Sequence, residues 1–195
     1  MKKLLLSAAF VAFGMGISNA QDISYGVKAG LNLSNFGGDD EVAEGFEGLT
    51  SFHIGGFAQI GISDKFMIQP ELIYSQQGAQ DEEDSDLKLR INYLNLPIMA
   101  KYMVADGFSL ELGPQVGFAI SRKITDGDID VDADDEIKAL DFGVGVGAGY
   151  ELPSGLMFSV RYNLGLANLL EDDFGGDDFS LNNNVLQVSV GYKFN

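Results

Sequence analysis

The chain has 195 residues, of which 29 are Asp or Glu and 12 are Lys or Arg, and it contains no cysteine. This length suits a single domain. The absence of cysteine excludes disulfides, thiolate chemistry and a lipoprotein anchor. The strong negative charge argues against nucleic acid as a partner, because phosphates are bound by basic residues.

The first twenty residues differ in character from the rest of the chain. Lys2 and Lys3 precede an apolar stretch, 4–17, and a small-x-small site ends at Ala20. This pattern is typical of a secretory signal peptide, and the apolar stretch is too short for a helix that spans a bilayer. We therefore expect residues 1–20 to be cleaved on export, leaving a mature domain of residues 21–195.

From Tyr25 onwards the sequence alternates between apolar and polar residues, which predicts β-strands. One face of every predicted strand carries no charge, whereas the opposite face carries glycines and polar residues. The eight strand segments, in chain order, are 25–33, 52–62, 66–74, 94–102, 108–120, 140–150, 156–166 and 186–194.

The fourth segment changes phase along its length. Leu89, Ile91 and Tyr93 follow one alternation, and Leu94 begins the other. A β-bulge inserts one extra residue into a strand and reverses the phase of its side chains. We therefore predict a β-bulge near Tyr93–Leu94.

The connections alternate strictly between short and long. Tight turns are predicted at 63–65, 104–107 and 152–155, whereas the long connections hold 22 of the 29 acidic residues. Short turns on one side and long loops on the other are the pattern of transmembrane barrels, and an even number of strands lets the sheet close without an edge. The four long, acidic segments are 37–50, 78–90, 122–138 and 171–183.

Alternation alone does not say which face points outwards, since a soluble lipocalin-like barrel has its apolar face inside. Two features favour the membrane. Glycine occupies positions 143, 145, 147 and 149 on the polar face, which suits the crowded interior of a narrow barrel. Aromatic residues of the apolar face cluster near both strand ends, as at two bilayer interfaces. The sequence thus predicts an all-β, eight-stranded antiparallel up-and-down transmembrane β-barrel in a bacterial outer membrane.

Four segments carry a resemblance to a known family. They are INYLNLPIMAKY at 91–102, LELGPQVG at 110–117, DFGVGVGAGY at 141–150 and RYNLG at 161–165. In these segments the chain resembles the PorT-like outer-membrane β-barrel family of Bacteroidetes-type bacteria. The resemblance implies a small barrel, and it covers most of the mature chain. It implies no reaction, although the founding member of the family assists a secretion system that exports proteases.

The longest run of acidic residues suggests a weak metal site. An EF-hand loop needs Gly at its sixth position and Glu at its twelfth, but a loop that starts at Asp128 has Ala133 and Ala139 there. The run is therefore no EF-hand. Three alternatives remain: loose binding of Ca²⁺ or Mg²⁺, a solvated acidic loop, or a hairpin extension with its acidic residues on one side. The candidate carboxylates are Asp126, Asp128, Asp130, Asp132 and Asp134.

Two further patterns could carry chemistry. The glycines at 143–149 have no following helix to receive a phosphate, so they do not form a dinucleotide site. His53 is the only histidine, and the sequence offers no nucleophile to pair with it, which favours a structural lumen or rim histidine. We expect no catalytic residues and no cofactor.

The charged side chains on the polar face are better explained as ion pairs that fill the interior of the barrel. Eight strands enclose a space that side chains fill, and buried charges must pair. We therefore predict that Arg161 pairs with Glu111, Asp141 or Glu71, which argues against a general porin.

Two functional classes remain from the sequence. One is a monomeric structural or interaction barrel in contact with outer-membrane lipid, whose acidic outer loops meet a protein partner or divalent cations. The alternative is a barrel enzyme that acts on lipid, or a narrow transport channel.

Overall fold

A computed structural model describes residues 23–39, 45–84, 86–126, 129–133, 136–171 and 179–194. The predicted signal peptide, Asp128 and Asp134 lie outside these ranges. No helix in the described ranges is long and apolar enough to cross a membrane. The strands of the described residues are β1 (Ile23–Gly38), β2 (Phe46–Ser63), β3 (Phe66–Asp81), β4 (Leu87–Ala105), β5 (Phe108–Asp126), β6 (Ile129–Asp132), β7 (Leu140–Glu151), β8 (Leu156–Gly165) and β9 (Leu181–Phe194).

Eight of these strands form a closed ring. Each pairs antiparallel with its neighbour in the order β4-β3-β2-β1-β9-β8-β7-β5, and β4 pairs with β5 to close the ring. The first and last described strands meet along their length, with Tyr25 opposite Phe194. The predicted eight-stranded antiparallel up-and-down barrel is therefore confirmed. The remaining strand, β6, pairs only with the end of β5.

The two faces of the ring differ as the alternation predicted. Apolar side chains such as Leu112, Val146 and Val160 are exposed on the outside, whereas Glu71 and Arg161 are buried inside. Aromatic residues ring the outer face near the tight turns, where Phe108 pairs with Tyr150 and Phe66 with Tyr102. A second group, with Phe118 and Phe142, lies near the opposite end.

The separation of the two aromatic groups matches a bilayer. Ten residues separate Phe108 from Phe118 along β5. At about 3.3 Å per residue and a tilt of roughly 40°, the two rings lie about 25 Å apart along the barrel axis, the height of the apolar band in outer-membrane barrels.

The first two long connections are shorter than predicted, because strands β1 to β4 continue past the outer aromatic group. β1 runs to Gly38 and β2 begins at Phe46, so both ends of the predicted loop 37–50 are strand. Likewise β3 and β4 stay paired as far as Gln80 opposite Lys88. The reason is that polar residues with strand alternation can extend a hairpin into water beyond the membrane.

A bulge lies close to the predicted position, at Asn92–Tyr93, but its extra residue is not in β4. Ile91, Tyr93, Asn95 and later odd-numbered residues all point inwards, so β4 keeps one phase throughout. The irregularity lies in the partner strand β5, where Asn92 faces Ser121 but Tyr93 faces Ala119, which leaves Ile120 as the extra residue. The apolar residues that seemed out of phase in fact face the interior, at the end of the barrel with the long connections.

Candidate functional site in the barrel lumen

A charged cluster fills the middle of the lumen. The guanidinium of Arg161 donates two hydrogen bonds to Glu71, with Nη2–Oε1 and Nη1–Oε2 distances of 2.7 and 2.9 Å. Its Nε donates to Oε1 of Glu111 at 2.6 Å. Lys28 Nζ lies 3.0 Å from Oε2 of Glu71. Arg161 therefore uses its planar fork against one carboxylate and its remaining N–H against a second.

Register and glycine together create room for this cluster. Glu111 on β5 and Arg161 on β8 are both level with Gly147 on the intervening strand β7. A Cβ added at Gly147 would lie 3.1 Å from Oε1 of Glu111 and 2.5 Å from the carbonyl oxygen of Val160. The glycine run predicted to suit a crowded interior therefore leaves space for an ion pair across the strand.

The predicted pairing of Arg161 is confirmed for Glu71 and Glu111. Asp141, the third candidate, takes no part in the cluster and lies further along β7. Burying a charge is costly unless it is paired, and here every oxygen of Glu71 receives a charge-assisted hydrogen bond. The cluster thus closes the middle of the lumen with side chains held by mutual attraction.

Amides extend the cluster towards the tight-turn end. Gln69 donates to Oε1 of Glu71 at 2.7 Å and accepts hydrogen bonds from Gln59 and Lys101. Beyond them lies an open vestibule of about 440 Å³ whose lining includes Met67, Met103 and an ion pair between Lys193 and Glu151. The lumen is therefore open at this end and filled in the middle.

His53 lies deep in the lumen with a partner on each ring nitrogen. Nδ1 lies 2.8 Å from Oδ1 of Asn32, and Nε2 lies 2.8 Å from Oγ of Ser189. Because an amide oxygen only accepts, Nδ1 carries the proton and Nε2 accepts from the serine. The sequence offered no nucleophile for His53, and the structure places Ser189 beside it. All three side chains are buried, so the arrangement fixes the ring within the packed lumen.

An apolar cap lies at the end of the lumen with the long connections. Ile91 and Tyr93 from β4 point inwards there and pack with residues from the segments before β7 and after β8. Those two segments bind each other, because Lys138 N donates to the carbonyl of Leu169 at 2.7 Å. The cap comprises Phe36, Ala79, Ile91, Tyr93, Ala133, Ile137, Leu169 and Leu181.

Sequence reasoning missed this cap, although a signal was present. The phase change in β4 was interpreted as a local backbone defect, because an alternation argument treats the interior as polar along its whole length. Apolar residues on the polar face at a strand end can instead mark the place where loops fold over the mouth of a barrel.

The candidate metal ligands lie in an exposed hairpin. Asp130 faces Thr125 and Asp132 faces Lys123 across β5 and β6, whereas Asp126 lies on the opposite face of the hairpin. Hydrogen bonds from Thr125 and Lys123 lower the pKa of Asp130. Within the described part of the chain, no three acidic or histidine side chains converge as metal ligands. The hairpin extension that the sequence left open is therefore present.

Together, the closed ring, the apolar outside and the charged interior define a small outer-membrane β-barrel. The family model of the outer membrane protein beta-barrel domain matches residues 19–171, and the chain belongs to this family. A search of curated protein sequences gave no match.

Solved structures support the same fold. The chain is similar to Neisserial surface protein A, with 11% identity, 89% of this chain and 99% of that chain covered, and a TM-score of 0.59. It is also similar to Ail, the attachment invasion locus protein of Yersinia pestis, with 13% identity, 88% and 98% covered, and a TM-score of 0.53. A structure of Ail in complex with the heparin analogue sucrose octasulfate matches with 11% identity, 89% and 99% covered, and a TM-score of 0.53. At these identities the likeness concerns the fold alone.

Proposed function

We propose that this protein is a closed outer-membrane barrel that displays acidic hairpins outside the cell and acts by interaction, not by transport or catalysis. The observation that carries the proposal is that the lumen is blocked at two levels. The ion-pair cluster around Arg161 fills its middle, and the apolar cap around Tyr93 covers its outer end. Within the described residues, buried side chains occupy the lumen at both levels, and the vestibule lies at the opposite end.

Conductance in planar bilayers tests the closed lumen. The purified barrel should give no stable channel steps in 1 M salt. At this ionic strength the Debye length is about 3 Å, so exposed charges are screened. A porin inserted in the same bilayer serves as the positive control. Discrete, ion-selective steps that depend on the amount of barrel inserted would contradict the proposal and favour a narrow channel.

The charge of the outer surface indicates which charge a binding partner should carry. The long connections and their flanking strand ends hold 22 acidic residues, and β6 presents Asp130 and Asp132 on one face. Sucrose octasulfate, which Ail binds, is a polyanion, and such a ligand would be repelled by these hairpins. A basic protein surface or divalent cations suit them better.

Binding of a cationic probe tests this surface. Polylysine should bind vesicles of zwitterionic lipid that contain the barrel, with an affinity that falls steeply as salt is added. The triple variant Asp126→Asn, Asp130→Asn, Asp132→Asn should bind several-fold more weakly, because part of the attraction is removed. Polyglutamate is the control probe and should not bind. Equal binding of polylysine to parent and triple variant would show that this hairpin is not part of the interaction surface.

Two finer assignments belong to the same proposal. The segments at 91–102 and 141–150 support a place within the PorT-like group of the family. The second assignment is a role in secretion or at the cell surface, as a monomer in contact with outer-membrane lipid. In either role the rigid barrel would hold the hairpins in place. A secretion operon around the gene would support the first of these roles.

A further inference from the structure

Between the ion-pair cluster and the apolar cap, the lumen contains a second polar site. A small cavity of about 10 Å³, the size that one water molecule or a small ion needs, is lined by polar side chains from five strands. These side chains are Gln77 on β3, Gln115 on β5, Asp141 on β7, Asn163 on β8 and Asn183 on β9.

Several polar atoms at this cavity have no hydrogen-bond partner within the protein. They include Oδ1 of Asp141, Oδ1 of Asn183, and both Oδ1 and Nδ2 of Asn163. Asn163 is only 4% exposed and Asp141 only 8% exposed, so bulk water does not satisfy them. Unpartnered polar atoms of buried side chains are rare and cost free energy, so each requires an explanation.

The charge of Asp141 is also uncompensated. The described Lys and Arg side chains form no ion pair with it, whereas the two buried glutamates nearer the barrel centre both pair with Arg161. The backbone of Phe142 and the side chain of Asn183 donate hydrogen bonds to the Asp141 carboxyl. No described cation neutralises it, however, and a buried carboxylate is costly unless its charge is neutralised. A single water molecule could donate to only two of the three unpartnered oxygens, and it would leave the charge in place.

We propose that Asp141, Asn163 and Asn183 bind a small monovalent cation such as Na⁺. Hard cations select carboxylate and amide oxygens, and three of the four unpartnered atoms at this cavity are such oxygens. One carboxylate neutralises one positive charge, so a divalent ion would leave an excess charge in a buried site.

The glycines beside the cavity fit this assignment. A Cβ at Gly145 would lie 2.7 Å from Oδ1 of Asn163, and a Cβ at Gly165 would lie 2.4 Å from the backbone oxygen of Asn183. The wall therefore has no side chain at the positions where Asn163 and Asn183 approach it. Gly145 therefore leaves space for the amide of Asn163, and Gly165 lets the backbone of Asn183 approach closely.

Denaturant unfolding of the barrel in lipid vesicles tests the site. The folding equilibrium constant should be measured in NaCl and in choline chloride at equal ionic strength, so that screening of the acidic hairpins is the same. For the parent, this constant should rise by up to tenfold for each tenfold increase in Na⁺ once the site begins to fill. Choline is too large for the cavity and should give no such rise.

Two variants separate a bound ion from a structural effect. Asp141→Asn removes the lone charge, so it should fold at least as well as the parent in choline but gain nothing from Na⁺. Asn163→Leu keeps the size of the side chain without its oxygen, and it should weaken the Na⁺ dependence several-fold. Asp130→Asn, an acid in the exposed hairpin, is the matched control and should respond to Na⁺ like the parent.

The outcomes are distinct. A parent barrel with the same stability in Na⁺ and choline overturns the proposal without any variant. An equal Na⁺ response in the parent and in Asp141→Asn also overturns it, because the cation would then act elsewhere.

Discussion

Replacing Arg161 with alanine should destabilise the barrel by about 3–5 kcal/mol, the usual cost of removing one partner from a buried ion pair. Arg161 is 2% exposed, and its loss removes three hydrogen bonds from Glu71 and Glu111. Lys28 would still pair with Glu71, but Glu111 would lose its ion pair with Arg161. Urea unfolding in lipid vesicles measures the change.

Two further variants establish the cause of the effect. Arg161→Lys keeps the charge but not the planar fork, so it should recover part of the lost stability. Lys123→Ala removes a charge from an exposed ion pair with Asp130 and should leave the unfolding midpoint nearly unchanged. If Arg161→Ala were as stable as Lys123→Ala, the middle of the lumen would be hydrated and the closed-barrel proposal would lose its main support.

Arginine at Val146 should cost about 2–4 kcal/mol, because the position lies near the middle of the apolar band and faces lipid. Val146 is 53% exposed on β7, midway between Phe142 and Tyr150, which belong to the two aromatic groups. A folded outer-membrane barrel usually keeps its compact form in cold detergent. The folded fraction can therefore be read from the mobility of unboiled samples and from urea unfolding in vesicles.

The chain offers a control that is matched in residue type and exposure. Val131 is 57% exposed and also lies on a strand, but it is in β6, beyond the ring that spans the membrane. Val131→Arg should therefore fold like the parent. If both arginine variants fold equally well, the outer face of the ring is not in lipid, and a soluble barrel would have to be considered again.

The ring itself could be predicted because its cause is local. Period-two alternation fixes which residues share a face, and the alternation of short turns with long connections fixes the direction of each strand. The set of inward charges followed from the same parity, which is why Glu71, Glu111 and Arg161 were recognised as candidates for pairing. The acidic partner of Arg161 could be narrowed to Glu71, Glu111 or Asp141, but the pattern did not distinguish among these three.

The errors have a common physical reason. Where the hairpins leave the membrane, apolar and polar residues still alternate although the surroundings change from lipid to water. The end of β1 at Gly38 and the start of β2 at Phe46 could therefore not be located from the pattern. The phase of Ile91 and Tyr93 was misread for a related reason, because Ile137 and Leu169, which pack in the same cap, are more than 40 residues away in the chain.

The sequence alone determined the number of strands, their faces, the outer-membrane class of the barrel and the charges in its lumen, because these depend on parity and on the order of turns. Only the tertiary structure decided which charges meet. Arg161 reaches Glu71 across 90 residues of chain. Asp141 remains apart from that cluster, beside Asn163 and Asn183. These distances depend on how far each strand is shifted against the next when the ring closes, and no local pattern records that shift.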